Sequence, residues 1–170
     1  AVVASFFQSL LKKKDLSEQQ YQQQLQRLCD FLFLGALLIA ILISFISEPL
    51  IVLLYGSDYA AAGAILALHV WAGLFVFMRA LLSKWLLAEE LVFFSLVTHG
   101  VGAIINVALN YYLIPLYQGQ GAAIATVVSY AFASYLVLFF HSSTWPMAKV
   151  MTKSLFFPSR IFPTKLKSSA

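Results

Sequence analysis

Apolar residues in this chain are gathered into four long runs with polar punctuation between them, at roughly residues 30–47, 59–82, 91–114 and 121–140. A run of about 20 residues at 1.5 Å rise per residue matches the hydrocarbon thickness of a bilayer, whereas barrel strands would be shorter and would alternate. No Asp, Glu, Lys or Arg occurs from Phe31 to Ser47, from Tyr59 to Met78, or from Leu91 to Ala148. In hydrocarbon each backbone polar group must be satisfied within its own element, so these runs predict helices. The expected fold is therefore an all-α integral membrane protein with four transmembrane helices.

The flanks refine that picture. Residues 1–11 are apolar but too few to span, and read as the end of a preceding helix. The loop Lys12-Lys13-Lys14-Asp15 follows, and Ser17 with Gln20 has the spacing of a capping box. Tyr21, Leu25, Leu28 and Leu32 then share one face, so an amphipathic lead-in is expected through residue 29. Glu48-Pro49 predicts an interruption, followed by a short turn or kinked extension over Leu50 to Tyr55. Gly56 is placed to cap that segment, and Ser57 or Asp58 to open the next.

Further on, Pro115 predicts the stop of the third span, and Gln118-Gly119-Gln120-Gly121 a polar turn into the fourth. Met147, Val150, Met151 and Leu155 lie opposite Lys149 and Lys153, ahead of Pro158, Arg160, Pro163, Lys165 and Lys167. This tail reads as an interfacial basic anchor for anionic headgroups of the lipid bilayer. Three regions result: 1–29, the four-helix region 30–141, and the tail 142–170. The chain opens at Ala1 without Met and without a visible signal peptide, so a piece of a longer protein is expected.

Charge adds an orientation. Hydrophobic residues make up 61% of the chain and charged residues only 11%, against about a quarter in soluble domains. All 11 Lys and Arg fall before the first span, around the end of the second, or after the fourth. The positive-inside rule then puts both ends and the middle connection in the cytoplasm. The single Cys29 cannot form an intrachain disulfide and reads as a packing residue. The histidines are too dispersed for a metal site, and Glu89-Glu90 is a lone acidic pair suited to a helix dipole. There is no P-loop, and Gly100-Val101-Gly102 is followed by Ile105 where a dinucleotide fingerprint needs Gly. No cofactor, metal or nucleic acid is expected, and no enzymatic activity.

Candidate chemistry lies inside the spans. Ser95, His99, Gly102, Asn106 and Asn110 recur at steps of three or four and form one polar stripe on the third helix, either a hydrophilic path or interhelical glue with Gly102 permitting close approach. On the fourth, Thr126, Tyr130 and Ser134 recur every four residues beside a small-residue ridge of Gly121, Ala125 and Ser129. Packing is the first reading of the ridge, and Thr126 and Tyr130 are candidates to line a shared cavity. His69 lies near the middle of the second span. It either couples protons or bonds a neighbouring helix as a neutral imidazole. Arg79 and Lys84 either snorkel to headgroups or attract phosphate, Arg79 being the better phosphate candidate because its fork can bond two oxygens.

The stretches EPLIVLLYGSDYAAAGAILALHVWAG and INVALNYYLIPLYQGQGAAIATVVSY carry a resemblance. With the Gly-x-x-Tyr turn at Gly56 to Tyr59, Asn106 and Asn110 ahead of Pro115, and the Gly-Ala-Ala-x-Ala-Thr run from Gly121 to Thr126, the chain resembles the C-terminal half of the polysaccharide transporter family. That family includes the O-antigen flippases and belongs to the multidrug/oligosaccharidyl-lipid/polysaccharide exporter superfamily. YQGQG departs from the tighter Tyr-Gly-x-x-Gly turn of that family.

The resemblance implies about twelve helices in two bundles with alternating access, in a bacterial inner membrane. It also implies a polyprenyl-pyrophosphate-linked oligosaccharide substrate, and other polysaccharide assembly proteins as partners. Under it, the stripe from His99 to Asn110 suits sugars and Arg79 suits phosphate. The competing classes are a multidrug exporter, for which these spans lack an acid, a membrane-embedded glycosyl- or acyltransferase, and a structural assembly subunit.

Overall fold

A computed structural model describes residues 17–156. The expectations for residues 1–16 and for the tail beyond residue 156 lie outside the described residues. Among the described residues five α-helices follow in order: α1 Glu18–Tyr55, α2 Ala61–His69, α3 Ala72–Ala88, α4 Val92–Ser134 and α5 Trp145–Leu155, with short 3-10 turns at Ser57–Tyr59, Leu136–Phe140 and Ser142–Thr144. Among the described residues, three helical stretches are long and apolar enough to cross a membrane: Glu18–Tyr55, Ala61–Ala88 and Val92–Phe140.

The last stretch doubles back. Gln118 has non-helical dihedrals (φ 52°, ψ −129°) inside α4. Beyond it, Gly121 meets the Leu113 carbonyl, Asn106 bonds Ser129, and Gly102 faces Ala133. These pairs close in antiparallel register, so α4 is a hairpin of a first arm (residues 92–117) and a second arm (residues 119–134). The reversal falls where the polar Gly-rich turn was expected, but Pro115 does not stop the helix. Pro49 likewise lies within an unbroken α1, contrary to the predicted interruption. In hydrocarbon a broken helix would leave further backbone groups with no water to bond, so continuing past one lost bond costs less than stopping.

α1 ends at Gly56, whose N–H bonds the Val52 carbonyl and whose φ of 95° favours glycine. The capping expectations fare differently. Ser17 precedes α1 in extended backbone without a side-chain capping bond, and α2 opens after Ala60 rather than on Ser57 or Asp58. A one-turn break at Val70 and Trp71 separates α2 from α3. There Trp71, Gly73 and Leu74 use i→i+3 bonds, and the Trp71 indole donates to Ser44 Oγ on α1 at 3.1 Å.

The apolar core occupies one end of the bundle. Tyr21, Leu25, Leu28, Cys29 and Leu32 of α1 meet Met78, Leu81, Leu82 and Trp85 of α3, and α5 closes over them with Met147, Val150 and Met151. The predicted amphipathic face of α1 is thus buried, and Cys29 packs inside it. The apolar face of α5 is buried in protein rather than laid into the membrane surface, which corrects the interfacial-anchor expectation for this helix. Full burial of each methionine is worth about 1.5–3 kcal/mol, and a core was available to receive it. Polar bonds pin the helix as well: Ser154 donates to Asp30 Oδ1 at 2.6 Å, and Gln26 donates to Ser154 Oγ and to the Val150 carbonyl. Glu89 accepts from Tyr21 at 3.4 Å across the same end, and α4 begins only after Leu91.

Toward the opposite end the surface is apolar. Phe45, Leu53, Ile104 and Val107 are each more than two-thirds exposed, as lipid-facing side chains are, and exposed Tyr55, Tyr59 and Tyr117 gather where the helices reverse.

Candidate functional site

α3 and the two arms of α4 line a half-open cavity of about 540 Å³. α3 supplies Val76, Arg79 and Ala80. The first arm of α4 adds His99, Gly102, Ala103 and Asn106, and the second arm Thr126, Ser129, Tyr130, Ala133 and Ser134. Its existence follows from small residues. Gly102 lets the arms approach until a Cβ placed on it would lie 2.6 Å from the Ala133 Cβ, so the polar stripe of one arm faces that of the other.

Arg79 is only 7% exposed. It does not snorkel: Nη1 donates to the Ala133 carbonyl at 2.8 Å and Nη2 reaches the Ser95 carbonyl at 3.5 Å. Ala133 lies in the last turn of the second arm, where carbonyls lack intrahelical donors and the dipole favours a cation. The guanidinium therefore ties α3 to both arms while the cavity lies alongside it. Lys84, one turn on, is exposed.

Deeper in the hairpin, Asn106 Nδ2 donates to Ser129 Oγ at 3.0 Å, and Asn110 Nδ2 donates to Asn106 Oδ1 at 2.9 Å. Ser129 donates to the Thr126 carbonyl, and Thr126 to the Ala122 carbonyl. Asn110 Oδ1 and Ser134 Oγ are buried without a hydrogen-bond partner.

Of the residues singled out in sequence, Arg79, His99, Asn106, Thr126 and Tyr130 line this one cavity. Asn110 lies a turn beyond and joins through Asn106. His69, at the end of α2, is exposed and outside the lining. Ser129 was read as a packing position and Ser134 only as the continuation of the Thr126 and Tyr130 repeat; both line the cavity, three and eight residues beyond Thr126 on the same arm. Among the described residues, no cluster of His, Cys, Asp or Glu could hold a metal ion.

Long apolar helices around a cavity lined by one buried cation and several neutral hydrogen-bonding groups describe a multi-pass membrane protein of the transporter class. The family model described as Lipid II flippase MurJ matches residues 1–169, and the chain belongs to that family. Its superfamily is the multidrug/oligosaccharidyl-lipid/polysaccharide exporters, as the sequence resemblance implied; the matching family is the lipid II flippases rather than the O-antigen flippases. Comparison with curated proteins and with solved structures gave no match.

Proposed function

We propose that this chain forms part of a flippase that carries a lipid-linked sugar precursor across the bacterial inner membrane, and that its substrate is the lipid II type of peptidoglycan precursor. The observation that carries this reading is the convergence of Arg79, His99, Asn106, Thr126 and Tyr130 from α3 and the two arms of α4 on one cavity, in a bundle that exposes many large apolar side chains. Sugar hydroxyls need neutral donors and acceptors, and a cavity of 540 Å³ lies within the usual range of ligand sites. A passage walled by amides and hydroxyls exchanges hydrogen bonds with the moving head group while the polyprenyl tail stays in lipid.

In this reading the two arms of α4 cross the bilayer separately, giving four crossings with both ends cytoplasmic, within a larger two-bundle transporter of about twelve helices. Translocation breaks no bond, and the work is a change between two packed states biased by the substrate. The family match supports lipid II; an O-antigen repeat unit, which the sequence resemblance favours, is the narrower alternative.

The complete reading frame containing this segment, expressed in a strain whose own lipid II flippase is switched off, is expected to sustain growth. In a strain lacking its O-antigen flippase it is expected to leave the lipopolysaccharide ladder short. Rescue of the ladder without rescue of growth would reverse the substrate assignment, and rescue of neither, with the protein present in the membrane, would sink the flippase reading.

A further inference from the structure

We propose that Val70 and Trp71 form a hinge within the stretch Ala61–Ala88 and that Ser44 of α1 is its catch, so that α3 swings the cavity wall it carries between two positions. The consequence for transport rests on reading the cavity as the substrate path. The hinge itself stands on packing and hydrogen bonds outside the cavity.

A helix breaks for a reason, and the usual one is missing, because no proline occurs between Tyr59 and Leu82. The cause is a side chain from α1. Ser44 Oγ reaches the Ala67 carbonyl at 3.2 Å, and the Trp71 N–H, which a regular helix would give to Ala67, goes instead to the Leu68 carbonyl at 3.3 Å. The Trp71 indole donates to Ser44 Oγ at 3.1 Å and holds the two helices at this level. Yet the Ser44 hydroxyl has one hydrogen and two acceptors, since the Ala40 carbonyl of its own helix stands at 2.7 Å. With the hydrogen on Ala67 the stretch is bent. With it on Ala40, the Ala67 carbonyl is free to take back the Trp71 N–H, and the stretch straightens. Both arrangements keep the backbone groups bonded, as hydrocarbon requires.

Packing agrees with a joint at this level. The apolar core reaches no further than Leu37 on α1 and starts at Leu74 on α3, and among the described residues none from α2 belongs to it. α2 is gripped elsewhere: Gly63 lies against the backbone of Glu48, and Ile65 against Gly119 at the hairpin turn. α1 has a soft point beside its catch, because Pro49 offers no N–H to the Phe45 carbonyl. A Cβ on Gly73 would meet nothing within 4 Å, so there is room beside the hinge. Beyond it α3 presents Val76, Arg79 and Ala80 to the cavity. Arg79 stands eight residues past Trp71. At about 1.5 Å per residue, a change of bend of about 20° moves it by about 4 Å, which is enough to reshape the cavity.

The test uses the complete protein in lipid vesicles, with isotope-labelled tryptophan observed by solid-state NMR. The Trp71 signals are assigned by their absence from Trp71→Phe. Ser44→Ala removes the catch and should move the Trp71 backbone amide to the position of a regular helix. Ser44→Thr keeps the hydroxyl and should leave that amide in place. An amide that does not move in Ser44→Ala overturns the hinge, whatever the protein transports.

Translocation of a fluorescent lipid II supplies the second readout. Ser44→Ala should lower the maximal rate at least fivefold while the half-saturating concentration stays within twofold, because the hinge touches no substrate. Trp71→Phe, which keeps a ring and loses the N–H, should lower the rate two- to fivefold, and Ser44→Thr should hold it near wild type. A merely structural bond would cost thermal stability and leave the rate of the folded protein unchanged. That result overturns the hinge, and Trp71→Phe decides it alone where Ser44→Ala fails to fold. Wild type that translocates at a rate neither variant alters sinks the hinge and spares the flippase reading. Wild type that translocates nothing, with the Trp71 amide moving as predicted, sinks the flippase reading and spares the hinge.

Discussion

Replacing Gly102 with Ala tests the hairpin on which the cavity depends. The added Cβ would sit 2.6 Å from the Ala133 Cβ, against ordinary contacts of 3.4 Å or more, so the arms must part by about 1 Å. One turn away, the Asn106–Ser129 bond of 3.0 Å would stretch to about 4 Å and be lost. Overpacking of this kind costs about 1–3 kcal/mol, and an interhelical hydrogen bond in a membrane adds about 0.6 kcal/mol. The better helix propensity of Ala returns up to about 1 kcal/mol, leaving a net loss of roughly 1–3 kcal/mol.

Gly100 on the same arm supplies the control, because a Cβ there meets nothing within 4 Å. Gly100→Ala should therefore be neutral or stabilising by up to about 1 kcal/mol. Reversible unfolding of the complete protein in mixed micelles would measure both variants. The double variant Gly102→Ala with Ala133→Gly should recover most of the loss, since the second change removes the methyl that collides. If Gly102→Ala proves as stable as Gly100→Ala, the close approach of the arms is wrong and the cavity loses one of its walls.

Other consequences are more local. Ser154→Ala removes the 2.6 Å bond to Asp30 and the bond from Gln26, and should speed amide exchange across Trp145–Leu155 about tenfold, consistent with a loss near 1.4 kcal/mol. Unchanged exchange would mean that apolar contacts alone hold α5. Gly56→Ala forces a side chain into φ 95°, ψ 168°, a region that costs other residues about 1–3 kcal/mol, and thermal unfolding should fall accordingly. His99→Ala should slow lipid II translocation severalfold, whereas His69→Ala should leave it near the wild-type rate because His69 is exposed outside the cavity. Equal loss in both would favour the proton-coupling reading of His69.

Much of the architecture was legible because membrane helices are written in composition. Uninterrupted apolar runs marked the long apolar helices but not the break at Val70 and Trp71 that divides the second run, and the period of Tyr21, Leu25, Leu28 and Leu32 identified the face of α1 that becomes core. Proline misled at both Pro49 and Pro115, because in water the groups freed by ending a helix can be solvated, whereas in hydrocarbon they cannot. The reversal at Gln118 was anticipated in place, though the residue bearing positive φ is not one of the glycines.

The site was legible in part. Steps of three and four brought His99 and Asn106 to one face and Thr126 and Tyr130 to another, and Gly102 signalled that the two could meet. Arg79 could not be resolved in the same way, because snorkelling and burial differ only in what stands beside the side chain. The Ala133 and Ser95 carbonyls that hold it come from elsewhere in the chain. Nor does periodicity foretell that the Met147 face of α5 packs on protein, since an interfacial helix and a covering helix share one amphipathic pattern.

The central claim, that the cavity is a hydrophilic path for a lipid-linked head group, is tested most directly by thiol accessibility in membrane vesicles. Cys29, the single cysteine of this chain, is fully buried and should stay silent, so single variants can be labelled once any cysteine outside this segment has been replaced. Thr126→Cys, on the cavity wall, should react with a membrane-impermeant maleimide and be protected by lipid II. Val128→Cys, exposed on the outer face of the same arm, should remain unlabelled in lipid. Labelling of Val128→Cys together with silence at Thr126→Cys, or labelling at Thr126→Cys that lipid II does not slow, would contradict the account.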